Sequence, residues 1–143
     1  MNIKYYKIYW RKKDIIPWHQ YQPNEALTKN WATVTEGRPG LRVLFPLCGA
    51  SLDLAWLYRQ GHIVVGVEGV TKAAEKLFRD ANIEHNVTEM GSGIVRFSSV
   101  DTNLTVFVTD FFNVSKEVIG TFDAVFDRYV DCWNTTKKVL FCT

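Results

Sequence analysis

The sequence predicts an α/β fold built on a parallel sheet. Three observations carry that prediction. Short apolar runs alternate along the chain with stretches of helical periodicity, the pattern of strands joined by crossover helices. The runs have no polar face, as expected of strands covered on both sides. They end on Cys48-Gly49, Glu68 and Asp110, which gathers polar chemistry at the carboxyl edge of such a sheet.

The elements follow in order. Tyr5 to Lys13 is aromatic and basic, and Tyr6 and Trp10 share a helical face at i, i+4. Pro17 ends that helix or follows its end. Pro23-Asn24-Glu25 signals a helix start ahead of Ala26, Leu27 and Trp31, and Gly37-Arg38-Pro39-Gly40 is a loop. Leu41 to Leu47 is a buried strand, with Cys48 to Ser51 as its turn. Ser51 caps a helix reaching Gln60, and Gly61 suits its C′ position. His62 to Glu68 is a second buried strand and Thr71 to Ala81 a further helix. Strands are also expected at Val95 to Phe97, at Leu104 to Asp110 and at Thr121 to Arg128. Right-handed crossovers should join them.

Composition narrows the function. At 143 residues the chain is one domain, and 47% hydrophobic with 22% charged residues is a globular balance that excludes wholesale disorder. A net charge of +2 is too even for a nucleic-acid footprint, so no nucleic-acid partner is expected. No apolar stretch approaches a membrane span, so no membrane association is expected either. Met1 to Lys7 lacks the apolar run of a signal peptide, and Cys48, Cys132 and Cys142 are odd in number without CxxC spacing. A cytoplasmic protein without disulfides or zinc is the reading, and the four Asn-x-Ser/Thr matches are taken as chance. His19, His62 and His85 have no ligand spacing, so no metal is expected. The aromatics, with 5 Trp, 6 Tyr and 9 Phe, suit a packed core and a flat ligand alike.

The strand ends carry the chemistry. Pro46 to Ser51 holds one glycine where a GxGxxG loop needs three. That counts against a pyrophosphate on the helix N-terminus, hence against a dinucleotide oxidoreductase. It leaves room for a nucleoside cofactor without phosphate, such as S-adenosylmethionine. Glu68 lies nineteen positions after Gly49, the interval that puts an acid on ribose hydroxyls. Its other reading is a solvated residue closing a strand. Asp110 is a helix cap or a neighbour of the adenine, and Phe111-Phe112 flanks that ring or fills the core. Asp127-Arg128 is a surface pair or faces the pocket; Trp18-His19-Gln20 is an interhelix loop or a lid. Cys48 has no adjoining basic partner and is not read as a nucleophile. No GxSxG motif is present.

The run LRVLFPLCGASLDLAWLYRQGHIVVGVEGVTKAAEKLF resembles the thiopurine S-methyltransferase family. Trp18-His19-Gln20 is similar to that family's (F/W)HQ segment, TDFFNV to its acidic-aromatic strand end, and GTFDAVFDR to its GKFD-containing motif. The likeness covers Tyr5 to Arg128. It implies a class I methyltransferase (Rossmann-like) three-layer sandwich, and S-adenosyl-L-methionine as cofactor. It implies methylation of aromatic or heterocyclic thiols, with the methyl passed in line to sulfur. Carried over by motif, Tyr6, Trp10, Trp18, Leu47, Glu68, Asp110, Phe111 and Arg128 would hold the cofactor. Trp18 would also border the small-molecule thiol acceptor. The sulfonium is already activated, so no catalytic base is assigned.

Beyond Arg128 the resemblance ends. Family members continue with a different helix start, whereas this chain runs Tyr129 to Trp133 and then to Thr143. The expected organisation is a helical lid over 1–40, a cofactor-binding core over 41–128 and a divergent tail over 129–143, so that the sandwich is incomplete at the C-terminus. An open sheet edge and a monomer are expected. A non-catalytic cofactor-binding or regulatory fragment is the alternative function.

Overall fold

The computed structural model describes residues 22–46, 48–127 and 139–142, with only the backbone described at 26, 111, 127 and 139–142. Helix α1 spans Glu25–Thr35, strand β1 Arg42–Phe45, α2 Leu52–Arg59, β2 Ile63–Glu68 and α3 Thr71–Ala81. Then come β3 (His85–Glu89), β4 (Val95–Ser99), β5 (Leu104–Val108), a 3-10 turn at Phe111–Asn113, α4 (Lys116–Ile119), β6 (Ala124–Asp127) and β7 (Val139–Cys142).

Local chemistry sets the helix ends. The Asn24 side chain accepts the Leu27 N–H, and Ser51 accepts that of Asp53, so the first-turn donors of α1 and α2 are satisfied. At the other end of α2, Gly61 donates to Tyr58 O and His62 to Leu57 O, the paired bonds of a Schellman cap with glycine at the left-handed position. Both α2 caps are where the sequence put them.

The strands form one sheet in the order β3-β4-β5-β2-β1-β6-β7. β1, β2, β5 and β6 are mutually parallel, as expected. β3 and β4 are not: β4 runs antiparallel to β5, and β3 antiparallel to β4. The sheet is therefore mixed, which corrects the all-parallel expectation and adds a strand at His85–Glu89. The reason is loop length. A parallel return needs a crossover of a dozen or more residues. Here β3 turns into β4 through Gly91-Ser92-Gly93, all at positive φ, and β4 turns into β5 through Val100 to Asn103 with Thr102 at φ 65°. Turns this tight reverse the chain. β7 in the divergent tail was also not expected as a strand; it pairs parallel to β6 and occupies the edge that was expected to stand open.

Two cores lie on the two faces. On one, Leu27 and Trp31 of α1, Leu54 and Leu57 of α2, and Leu77 and Phe78 of α3 pack on Val43, Phe45, Val64, Val106 and Phe126. Each fully buried Leu contributes about 1.5–3 kcal/mol of transfer free energy. On the other, Leu44, Val65, Val67 and Phe107 meet Val118 and Ile119 of α4 with Val114 and Phe122. This gives helix, sheet and helix layers, the third represented among the described residues by the four-residue α4.

Arg42 fixes how β6 joins β1. Its backbone N–H donates to Asp123 Oδ2 at 2.9 Å, its Nε to Thr121 O at 2.9 Å and its Nη2 to Ile119 O at 2.9 Å, while the guanidinium lies 5.2 Å from the Phe122 ring centroid. Four contacts from one residue hold the segment that leads into β6.

His62 joins α1 to β1. Trp31 Nε1 donates to its Nε2 at 2.9 Å and the Leu41 N–H donates to its Nδ1 at 3.1 Å. A neutral imidazole has one acceptor nitrogen, so it accepts from one of these two N–H groups at a time, and a charged ring accepts from neither, so protonation costs that hydrogen bond. Burial also lowers the His62 pKa from the usual 6.5. The folded state thus resists a proton that the unfolded chain takes up. Stability from this group is complete above about pH 6.5 and falls as pH drops below it, down through the folded pKa. Urea midpoints measured from pH 7.5 to pH 5 should show that decline, and His62→Gln should flatten it; an equal slope in the variant would refute the assignment.

Candidate functional site

The parallel strands put the carboxyl ends of β1, β2, β5 and β6 on one edge. Strand order reverses at β1: β2 and then β5 lie on one side and β6 on the other. Ligands in open α/β sheets bind at such a switch point. β2 is central to the cluster. Its register sets Glu68 beside Val108, the last residue of β5. The Thr109 N–H donates to Glu68 O at 2.9 Å, and the Cys48 N–H donates to Val67 O at 3.1 Å. The turn after β1 and the chain after β5 thus both touch the end of β2, and the three predicted polar clusters converge.

Gly66 permits this approach. A Cβ built there would lie 2.8 Å from both Cys48 Sγ and Leu54 Cδ2, closer than real side chains come. Cys48 can settle over β2 because position 66 is bare. Cys48 is 2% exposed, and burial pushes its thiol pKa well above the ordinary value, with the Glu68 carboxylate acting in the same direction. A neutral, buried thiol is no nucleophile.

Glu68 is 2% exposed and takes the Gly69 N–H on Oε1 at 2.7 Å. It is a buried carboxylate at the strand end, which disposes of the solvated reading. Asp110 is exposed and accepts the Phe112 N–H on Oδ1 at 3.0 Å, while its carbonyl accepts the Asn113 N–H. It therefore caps the 3-10 turn, one of the two roles the sequence allowed. Beside it the Phe112 ring is 91% exposed. The Phe111 side chain, Leu47, Tyr6, Trp10, Trp18 and Arg128 lie outside the described residues.

Asp53 was missed by the sequence reading. It is fully buried in the first turn of α2, and its Oδ1 accepts the Asn24 N–H at 2.5 Å. It binds the start of α1 to the helix that opens the site. An acid in a first helical turn is usually a surface partner of the helix dipole, so its sequence context gave no sign of burial. Among the described residues no helix is long and apolar enough to cross a membrane, and no three His, Cys, Asp or Glu residues group as a metal site.

This sheet, with an acid closing its second parallel strand and a one-glycine turn closing the first, is a class I methyltransferase fold of the S-adenosylmethionine-dependent kind. The profile of the thiopurine S-methyltransferase family matches residues 2–132, and the chain belongs to that family. It is 34% identical to the thiopurine S-methyltransferase of Rattus norvegicus over 125 residues, 83% of this chain and 52% of the relative. It is 38% identical to that of Bordetella petrii over 110 residues, 77% of this chain and 48% of the relative. The chain thus spans about half the length of these curated relatives. In fold it is similar to magnesium protoporphyrin IX methyltransferase from Synechocystis, a structure with bound SAH, at a TM-score of 0.52 and 17% identity, covering 90% of this chain and 59% of the other.

The family indicates S-adenosyl-L-methionine as the cofactor. The residues present fit it. Glu68 is a buried acid at the end of β2 and Asp110 an exposed acid beside an exposed aromatic ring after β5, acceptors and a flat apolar face that suit a nucleoside.

Gly66→Ala should lower stability by about 1–3 kcal/mol through overpacking. Cys48→Ala in the same chain should recover part of the loss, with Leu54 limiting the rest. Chemical denaturation of the three variants measures this, and additive effects would contradict the close approach.

Proposed function

We propose that this chain carries the cofactor-binding half of an S-adenosylmethionine-dependent methyltransferase acting on the sulfur of aromatic or heterocyclic thiols. The observation that carries the reading is Glu68, buried at the end of β2 between the turn after β1 and the chain leading to Asp110. A carboxylate accepts two hydrogen bonds from a vicinal diol, which makes Glu68 the ribose residue. Asp110 and Phe111 flank the adenine, and Leu47 in the turn contacts the cofactor. Tyr6, Trp10 and Trp18 belong to a lid within 1–40, Arg128 closes the pocket, and Trp18 borders the acceptor.

When bound, the cofactor supplies a methyl already activated on a sulfonium. The protein's part is to orient it and exclude water, so that a thiolate attacks in line without a dedicated base. The support for sulfur as acceptor is the family; the natural thiol is an open substrate class. A cytoplasmic monomer without nucleic-acid partners fits the even charge.

A second reading is a non-catalytic cofactor-binding or regulatory unit that uses the same cofactor edge. Assay of methyl transfer to a thiol by the purified chain separates the two.

S-adenosylhomocysteine should raise the unfolding temperature of the chain while NAD should not. At 100 times the dissociation constant the gain is about 2.7 kcal/mol. In calorimetric titration Glu68→Ala should abolish that binding with the circular dichroism spectrum retained. Unchanged affinity would remove the ribose assignment.

A further inference from the structure

Among the described residues β3 is the outermost strand on its side of the sheet, and all five of its residues, His85–Glu89, are exposed. Val87 at its centre is 55% exposed. Proteins commonly blunt such an edge with a lysine, a proline or a bulge. β3 contains no lysine and no proline, and its register with β4 is unbroken from His85↔Ser99 to Glu89↔Val95.

The ladder fixes which backbone groups face outward. The Met90 N–H donates to Ile94 O at 2.9 Å, so β3 and β4 are bonded at that pair, and bonding alternates along an antiparallel ladder. Thr88 and Asn86 therefore turn their N–H and C=O groups to β4, and His85, Val87 and Glu89 turn theirs to the open edge. The other side of β4 agrees. The Thr109 N–H donates to Glu68 O, so β5 gives its odd-numbered residues to β2 and its even-numbered ones to β4, where Val106 pairs with Phe97.

This open edge is complementary to itself. A second β3 laid antiparallel about Val87 meets it in hydrogen-bonded register, with residues 85, 87 and 89 facing 89, 87 and 85. Val87 then meets Val87, Asn86 meets Thr88, and His85 meets Glu89, a base against an acid, on both sides of a two-fold axis. A parallel copy in register would set Glu89 against Glu89. The His85 ring lies 4.6 Å from the Phe78 ring and 5.7 Å from the Phe97 ring between centroids, so His85, Val87 and Glu89 share the sheet face on which α3 packs.

We propose that two copies of this chain pair through β3, antiparallel about Val87, so that the sheet of one continues into the other. β4 and β5 separate β3 from β2, and the cofactor edge of each copy stays open. Five residues a side make an interface well below the ~800 Å² per partner of a standard one. The pairing is therefore weak, and the monomer of the proposed function is its dilute form.

Sedimentation of the 143-residue chain between about 10 μM and about 1 mM, the range of a weak interface, should show monomer passing to dimer. Amide hydrogen exchange at the two ends of that range locates the contact. His85, Val87 and Glu89 should exchange more slowly at the higher concentration, whereas Asn86 and Thr88, already bonded to β4, should not change. Val87→Lys, at a position open to solvent, should weaken association about ten-fold or more by setting like charges face to face. A chain that stays monomeric throughout, a dimer whose exchange slows elsewhere or without that alternation, or unaltered association in Val87→Lys would each overturn the proposal. The exchange pattern needs no variant, so a folding defect in Val87→Lys leaves the test intact.

Discussion

Everything at the carboxyl edge of this sheet depends on how closely the turn after β1 can lie on β2. The bare Cα of Gly66 sets that distance, because Cys48 Sγ and Leu54 Cδ2 already fill the space a methyl group would take. With Cys48 seated, its N–H reaches Val67 O, and the turn is fastened to the strand that ends on Glu68. Ser51 then begins α2 at a fixed place, and Leu54 and Leu57 of that helix enter the core. One missing side chain therefore couples the packing of the first crossover to the placement of the acid.

Charged residues elsewhere in the fold are used mostly to hold the backbone. Arg42 ties the approach to β6 through two carbonyls and the Asp123 carboxylate. Asp53 ties the start of α1 to α2. In the GTFDAVFDR segment, Phe122 and Asp123 serve Arg42 rather than a ligand. Part of what looks like a binding motif is thus the means by which β6 is laid beside β1. That placement creates the reversal in strand order on which the site stands.

The two faces of the sheet differ in consequence. One is sealed by three helices whose apolar stripes match it. The other is covered by a four-residue helix and its flanking segment, and toward β4 its residues turn polar. Arg96 on β4 lies at that polar margin, its Nε buried without a hydrogen-bond partner among the described residues.

The sequence by itself determined the alternation of strands and helices from β1 to α3, the caps at Ser51 and Gly61, and the three polar strand ends. These are local matters of periodicity, cap chemistry and turn residues, and single side chains carry them. It also held enough family likeness to indicate the cofactor. Tertiary structure alone decided the rest. The direction of β3 and β4 depended on turns too short for a crossover, and the pairing of the tail strand with β6 depended on which edge was free. The burial of Glu68 and Asp53 depended on neighbours far away in the chain: Cys48 and Thr109 for one, Asn24 for the other. A carboxylate's letter in the sequence is the same whether water or protein surrounds it, so only the folded chain could separate these two from a surface acid.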